Sequence, residues 1–266
     1  MLIAGGGVQY AGAVNELQAF AKAHGIPVVE TIAGRANMLD THPLNIGPLG
    51  VTGSDSANTI TEQADVIIAV GTRLQDFTTG SWTAFAHDAK IIGLNVGRHD
   101  AMKHLSLPVV GDAKLAITAL SAALNYEGPK DWTDFAQAER AKWVAYTDDI
   151  TTPGNGPNSY AQAIGVVNDL CDNRDRIVAA AGGLPAEVTA NWRTLDIGTV
   201  DVEFGFSCMG YEISGAWGAR IAQAQREPDK DTITFIGDGS YMMMNSDIYS
   251  SVLSQKKLII LVLDNG

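Results

Sequence analysis

One segment of the chain combines an acidic side chain with glycines where α/β proteins bind ligands. The apolar segment TITFI at residues 232–236 is followed by GDGS, so Asp238 lies between Gly237 and Gly239. If TITFI is a parallel strand, Asp238 follows its carboxyl end, and the glycines let backbone N–H groups approach a phosphate closely. A carboxylate repels a phosphate unless a cation lies between them. Mg2+, bound by one or two protein oxygens and by diphosphate oxygens, would be that cation.

A second oxygen donor follows one helix and one strand later. Asn265 comes directly after LIILVLD, an apolar segment that also has the character of a parallel strand. Two such strands would bring Asp238 and Asn265 to the same edge of a sheet, where α/β folds place their ligands. GDG alone is also typical of an ordinary turn, but the asparagine at this spacing favours a site for a magnesium ion and a diphosphate.

Strand-like and helix-like segments alternate along the chain, as in a parallel α/β fold. Continuous apolar runs predict buried strands, and helical spacing of apolar residues predicts the helices between them. The predicted strands are 2–4, 27–31, 66–71, 90–96, 107–110, 176–181, 232–236 and 258–263, and the predicted helices are 11–23, 54–64, 113–124, 131–146, 159–170, 214–225 and 246–254. Ser54 is the expected N-cap of its helix. We therefore expect two three-layer α/β/α units, each with a parallel sheet.

The composition changes between residues 127 and 158, where a helical stretch leads into TTPGNGP. So much proline and glycine is typical of a linker, which predicts one domain at 1–126 and a second at 159–266. The chain opens almost inside its first strand and closes after a strand that no helix follows. We therefore expect both ends to be cut and the second domain to be truncated.

Composition excludes several classes of function. The 18 basic and 30 acidic residues give a net charge of −12, which argues against binding to a nucleic-acid backbone. The chain has neither an apolar run of membrane-spanning length nor a signal peptide, so we expect no membrane partner. Cys171 and Cys208 lie far apart, in unlike surroundings, and predict free thiols in the cytoplasm.

A glycine-rich turn near the start of the chain has a competing interpretation. Residues 5–7 (GGG) follow a strand and precede a helix, where dinucleotide-binding folds place their phosphate loop. The GxGxxG spacing fails because Tyr10 stands where the third glycine is needed. Glu30 is the nearest candidate for a ribose partner. The sequence therefore favours a plain tight turn over a nucleotide site.

The GDGS segment with its later asparagine resembles the cofactor motif of thiamine-diphosphate-dependent enzymes. The resemblance implies that Asp238 and Asn265 are Mg2+ ligands and that Gly237, Gly239 and Ser240 belong to the diphosphate site. GFSCMGY at residues 205–211 is similar to GLGTMGY of the acetolactate-synthase-like branch. That similarity implies that Met209 props the cofactor in a bent shape and that the Ser207 carbonyl meets its aminopyrimidine ring. Ser207 and Cys208 replace glycine and threonine, so backbone contacts transfer more safely than side-chain contacts.

Three longer segments are similar to one branch of that superfamily, which uses water to open the ring of trihydroxycyclohexane-1,2-dione during inositol breakdown and forms 5-deoxy-glucuronate. They begin at GVTGSDSANT, LNVGRHDAMK and DIGTVDVEFG. Two alternative functions for the chain remain. One is that of a carboligase or lyase like acetolactate synthase, and the other is that of a nucleotide-binding module without catalysis.

The family resemblance also implies where catalysis is completed. The activating glutamate lies in an N-terminal pyrimidine-binding domain, and the active site forms between subunits. No catalytic residue is therefore assigned within this chain, and Glu30, Glu62 and Glu187 lie in the wrong segments. We expect the full-length enzyme to be a homo-oligomer that acts on a cyclic polyol-dione, and the chain alone to be inactive.

Overall fold

The computed structural model describes residues 1–264, which form two compact units divided between Thr147 and Asp148. Both units contain a parallel sheet flanked by helices, which confirms the predicted α/β class. Within the described residues, no helix is both long enough and apolar enough to cross a membrane.

The first unit is built on a six-stranded parallel sheet in the order β3-β2-β1-β4-β5-β6. This is the strand order of doubly wound dinucleotide folds, and its switch point lies between β1 and β4. In chain order the elements are β1 Leu2–Ala4, α1 Gly6–Tyr10, α2 Val14–His24, β2 Val28–Glu30, β3 Asn45–Pro48, α3 Asp55–Gln63, β4 Val66–Val70, α4 Asp76–Thr79, β5 Lys90–Asn95, α5 Arg98–Ala101, β6 Leu107–Val110 and α6 Ala113–Ala123. The helix α7, Lys130–Thr151, begins in this unit and ends in the second.

The sheet of the first unit buries apolar residues on both faces, because successive strand residues point to opposite sides. Leu2 and Ala4 of β1 belong to one apolar cluster, which includes Phe20 of α2 and Ile117 of α6. Ile3 belongs to the other cluster, with Ile60 of α3. Two covered faces explain why the central strands are continuously apolar rather than alternating.

The prediction that residues 107–110 form a buried strand is wrong about burial. They do form β6, but all four residues are exposed because β6 is the edge strand of the sheet. The predicted cap of α3 is confirmed, since the Ser54 side chain accepts a hydrogen bond from the Ala57 N–H.

The second unit contains a four-stranded parallel sheet in the order β10-β9-β7-β8. Its elements are α8 Tyr160–Leu170, β7 Arg176–Ala179, α9 Gly183–Asn191, β8 Val200–Val202, α10 Tyr211–Gln223, β9 Thr232–Gly237, α11 Asp238–Met243, α12 Asp247–Leu253 and β10 Ile259–Leu263. The helix α8 begins with a capping box formed by Ser159 and Gln162. The sequence did not predict α9, β8 or α11.

Candidate functional site

The GDGS segment lies at the carboxyl edge of the second sheet, as its sequence predicts. β9 ends at Gly237, and Asp238 opens the short helix α11 directly after it. The Asp238 side chain is half-buried, Gly239 is exposed and Ser240 is buried. β9 pairs in register with β10, where Gly237 lies opposite Leu263. Asp238 and Asp264, which follow these two strands, therefore leave the sheet at the same edge. Asn265, the predicted second metal ligand, lies outside the described residues.

Glycines leave room for a ligand along this edge. Among residues 1–264, a Cβ atom built on Gly237, on Gly182 before α9 or on Gly183 at the start of α9 would have no atom within 4 Å apart from its own chain neighbours. A Cβ atom on Gly239 would lie 3.6 Å from the Cε atom of Met209. Within the described residues, these glycines are therefore not crowded by neighbouring atoms, which suits the close approach of a phosphate to their backbone.

The Met209 contact brings together two motifs that are 30 residues apart in the chain. The Cε atom of Met209 lies over Gly239, and the N–H group of Gly210 donates to the Ser240 Oγ at 2.8 Å. Met209 itself is 45% exposed, so its side chain is not part of the buried core of the unit. The structure thus places Met209, Gly239 and Ser240 in one cluster beside Asp238.

The loop that carries Ser207 is shaped by a carboxylate that the sequence analysis did not single out. Glu203 accepts hydrogen bonds from the N–H groups of Phe206 and Cys208, each at 3.1 Å. Between these two residues, Ser207 is exposed and has a positive φ of 51°. The turn therefore leaves the Ser207 backbone at the surface, consistent with a role that depends on its backbone rather than its side chain.

A second missed residue, Glu212, lies beneath the cluster. It is fully buried, and its carboxylate accepts hydrogen bonds from the Gly210 N–H at 2.8 Å and the Ser240 hydroxyl at 3.0 Å. The hydroxyl of Ser240 is thus bonded internally, so what this residue offers a ligand is its backbone. An acidic residue in the otherwise small and apolar stretch YEISGAWGA was the available sequence signal.

The donor chemistry at this edge suits a hard cation that shares its coordination shell with phosphate. Asp238 supplies one carboxylate, and residues 1–264 contain no group of three histidine, cysteine or acidic side chains able to hold a metal ion. Mg2+ is commonly bound by one or two protein oxygens together with substrate phosphates and water. The residues present therefore fit a magnesium–diphosphate group better than an ion caged by side chains.

The glycine turn at the switch point of the first sheet is closed by backbone packing. A Cβ atom on Gly7 would lie 2.7 Å from the Cα of Gly71, and the Gly7 N–H donates to the Gly71 carbonyl at 2.9 Å. Glu30 is fully buried; it pairs with Arg35 and accepts the N–H groups of Asn37 and Met38, both at 2.8 Å. Burial raises the pKa of Glu30, and the Arg35 guanidinium opposes that shift. With Gly7 against Gly71 and Glu30 already bonded, the geometry favours the tight turn over a nucleotide site.

The other two unassigned glutamates, Glu187 and Glu62, each have surroundings of their own. Glu187 bonds to Asn191 within α9, at 2.8 Å. Glu62 lines a cavity of about 800 Å3 in the first unit, with Asp55 of α3 and Trp143 of α7 among its other lining residues. That cavity contains none of the predicted cofactor residues.

Comparison with known families agrees with both units. Residues 1–120 match the family model described as the thiamine pyrophosphate enzyme central domain. Residues 180–266 match the C-terminal TPP binding domain of the same enzymes. The chain carries these two domains of the thiamine pyrophosphate enzymes. The second match includes the Met209 loop, the GDGS segment and Glu212.

Curated relatives include enzymes named 3D-(3,5/4)-trihydroxycyclohexane-1,2-dione hydrolase. The chain is 38% identical to the one from Geobacillus thermodenitrificans (strain NG80-2) and 37% identical to the one from Bacillus velezensis (strain DSM 23117 / BGSC 10A6 / LMG 26770 / FZB42). Both alignments cover 100% of this chain, but 44% and 45% of the respective relatives. The chain thus spans less than half the length of these relatives.

Proposed function

We propose that this chain binds the diphosphate of thiamine diphosphate, with Mg2+, at the carboxyl edge of β9. The observation that carries the proposal is the contact between the GFSCMGY and GDGS segments, through Met209 against Gly239 and Gly210 against Ser240. The open space beside Gly237 supports it as well. The C-terminal domain family that residues 180–266 match is described as TPP binding.

Each predicted residue has a role that its chemistry suits. Asp238 and Asn265 would provide oxygen ligands to Mg2+, while Gly237, Gly239 and the Ser240 backbone let main-chain groups approach the diphosphate. Met209 would support the cofactor from its exposed side chain, and the Ser207 carbonyl would accept a hydrogen bond from it. Bound in this way, the cofactor supplies the electron sink for cleavage of a carbon–carbon bond.

For the whole enzyme we propose hydrolytic ring opening of trihydroxycyclohexane-1,2-dione to 5-deoxy-glucuronate. The names of the relatives support this substrate, and the alignment covers the entire chain. We further propose that the enzyme is a cytoplasmic homo-oligomer and that the 266-residue chain alone does not turn over. Glu30 is already paired with Arg35 and Glu187 with Asn191, which supports an activating carboxylate from outside these residues.

Calorimetric titration of the chain with thiamine diphosphate tests the cofactor proposal. We expect binding that requires Mg2+ and that Asp238→Asn weakens at least about tenfold, since a metal ligand changes from a charged to a neutral oxygen. Glu227→Gln is the matched control, because it removes the same charge from a residue that pairs with Arg174 instead. Equal binding with and without Mg2+, or by the Asp238→Asn variant, would contradict the proposal.

Product analysis of the full-length enzyme tests the substrate proposal separately. We expect the cyclic dione to be consumed with formation of a linear sugar acid, and pyruvate to be left unchanged. Formation of acetolactate from pyruvate would identify a carboligase instead.

A further inference from the structure

Glu212 is a buried carboxylate whose hydrogen-bond donors come from three separate segments. Its side chain has no exposed surface. One carboxylate oxygen accepts the Gly210 N–H at 2.8 Å, the other accepts the Ser240 hydroxyl at 3.0 Å, and the Ala181 N–H lies 3.3 Å from that second oxygen. These donors belong to the Met209 loop, the GDGS helix and the loop that follows β7.

Such burial is costly, because a carboxylate loses its hydration and regains only what its new partners provide. Among residues 1–264, no arginine, lysine or histidine side chain lies in ion-pair distance of Glu212. Within the described residues, its hydrogen-bond donors are neutral backbone and hydroxyl groups. An apolar residue would fill this position at lower cost if packing were its only task.

The backbone of Glu212 is itself fixed to the sheet. The Thr234 hydroxyl lies 3.2 Å from the Glu212 carbonyl oxygen and 2.9 Å from that of Val178. Thr234 belongs to β9 and Val178 to β7, and both strands are central in the sheet. The carboxylate therefore extends from a backbone fixed to the sheet toward the three segments that supply its donors.

We propose that Glu212 is a positioning residue that holds the Met209 loop and the GDGS turn at the spacing a diphosphate requires. A carboxylate accepts at both oxygens, so it can bind donors from both segments at once. The proposal rests on the proposed function, because it assigns the reason for this geometry to the same cofactor site. Glu212 itself touches neither the metal nor the diphosphate.

The experiment compares Glu212→Gln with the wild-type chain and with Glu227→Gln. Glutamine keeps the shape but presents an NH2 group to one of the donors, so one segment loses its acceptor. Three quantities are measured: affinity for thiamine diphosphate in Mg2+, hydrogen exchange at the Gly210 amide without ligand, and the melting temperature. Exchange reports the position of the loop even when no cofactor is added.

We expect Glu212→Gln to bind the cofactor about tenfold or more weakly and to exchange the Gly210 amide faster, while amides of β9 stay protected. Glu227→Gln should match the wild type in both. Unchanged exchange at Gly210, or unchanged affinity, would overturn the proposal. If the wild-type chain does not bind the cofactor, the proposed function fails, and exchange at Gly210 alone decides whether Glu212 positions the loop.

Ser240→Ala is the milder second variant, in case Glu212→Gln does not fold. It removes only the hydroxyl that links the carboxylate to the GDGS turn. We expect a several-fold loss of affinity and faster exchange at Gly210, whose N–H also approaches that hydroxyl. Wild-type values for this variant would count against the proposal in the same way.

Discussion

The two most deeply buried glutamates have their charges balanced in different ways. Glu30 pairs with Arg35, a guanidinium that is itself 2% exposed, whereas Glu212 is held by neutral donors alone within the described chain. Removing one member of a buried ion pair leaves the other charge without compensation, which costs more than the pair itself contributes. The two residues should therefore respond differently to the same substitution.

At the residue scale, we expect Glu30→Gln to lower the free energy of unfolding by about 3 kcal/mol, because it removes one member of a buried ion pair. Glu62→Gln removes an exposed charge from the same unit and should change the free energy of unfolding by less than about 0.5 kcal/mol. Urea titration followed by circular dichroism measures both. Equal stability of the two variants would show that the buried pair is not required for folding.

The two thiols should differ in reactivity. Burial, with Asp175 and Asp231 nearby, raises the pKa of Cys171 to about 12, whereas Cys208 is exposed in the Met209 loop. The Cys171 thiol therefore stays protonated at pH 8, and thiolate is the reactive form. We expect one fast-reacting thiol with an aromatic disulfide reagent, and loss of that phase in Cys208→Ser. Two fast thiols in the folded variant would contradict this assignment.

At the scale of elements, the glycine turn after β1 allows its backbone to pack closely against the turn after β4. Gly71 has a φ of +59°, and a Cβ atom there would lie 2.8 Å from the Gly7 carbonyl carbon. Gly12 has the same φ of +59°, but a Cβ atom there would meet nothing within 4 Å. Substitution of Gly12 therefore tests the cost of the backbone conformation alone, whereas substitution of Gly71 adds steric overlap.

We expect Gly12→Ala to cost about 1 kcal/mol, the penalty of a left-handed conformation alone. Gly71→Ala should cost clearly more, since it adds overlap with the backbone that closes the switch point. Thermal or chemical unfolding of the two variants provides the comparison. Similar losses would mean that the turn can shift to accept a side chain.

Most of the longer elements could be predicted from the sequence, and two of the missed ones, β3 and α9, lack a clear local pattern of apolar residues. β3 contains Gly47 and Pro48 and forms a strand because β2 offers it a parallel edge, which no local pattern reveals. α9 begins at Gly183, carries Pro185 in its first turn and buries polar as well as apolar residues, so its sequence lacks a clear apolar stripe. Proline is tolerated there because the first N–H groups of a helix lack partners within it.

The candidate site was predictable only in part, for a related reason. GDGS and Met209 carry recognisable local signals, and the structure brings them together. The Glu212 carboxylate accepts hydrogen bonds from Ala181 and Ser240, which are 31 and 28 residues away in sequence, so its role has no local signal. Such contacts depend on strand order, and strand order was not part of the prediction.

At the scale of the whole molecule, each unit has its own sheet, and an exposed segment at 153–159 without regular structure lies between α7 and α8. Exposed segments of this kind are preferred sites of proteolysis. We expect brief proteolysis to cut first within this segment and to leave two resistant fragments, as identified by mass spectrometry. Initial cuts within either sheet would show that the units are less stable than their hydrogen bonding suggests.

The pairing of β9 with β10 also limits how this part of the gene can change in length. Gly237 lies opposite Leu263, so the chain leaves both strands at one level. An insertion at residues 254–258, between α12 and β10, can bulge outward and leave that alignment intact. One extra codon inside β10 would instead turn each later side chain to the opposite face of the sheet. Among related sequences, insertions and deletions should therefore occur in the segment before β10 and be absent within β10.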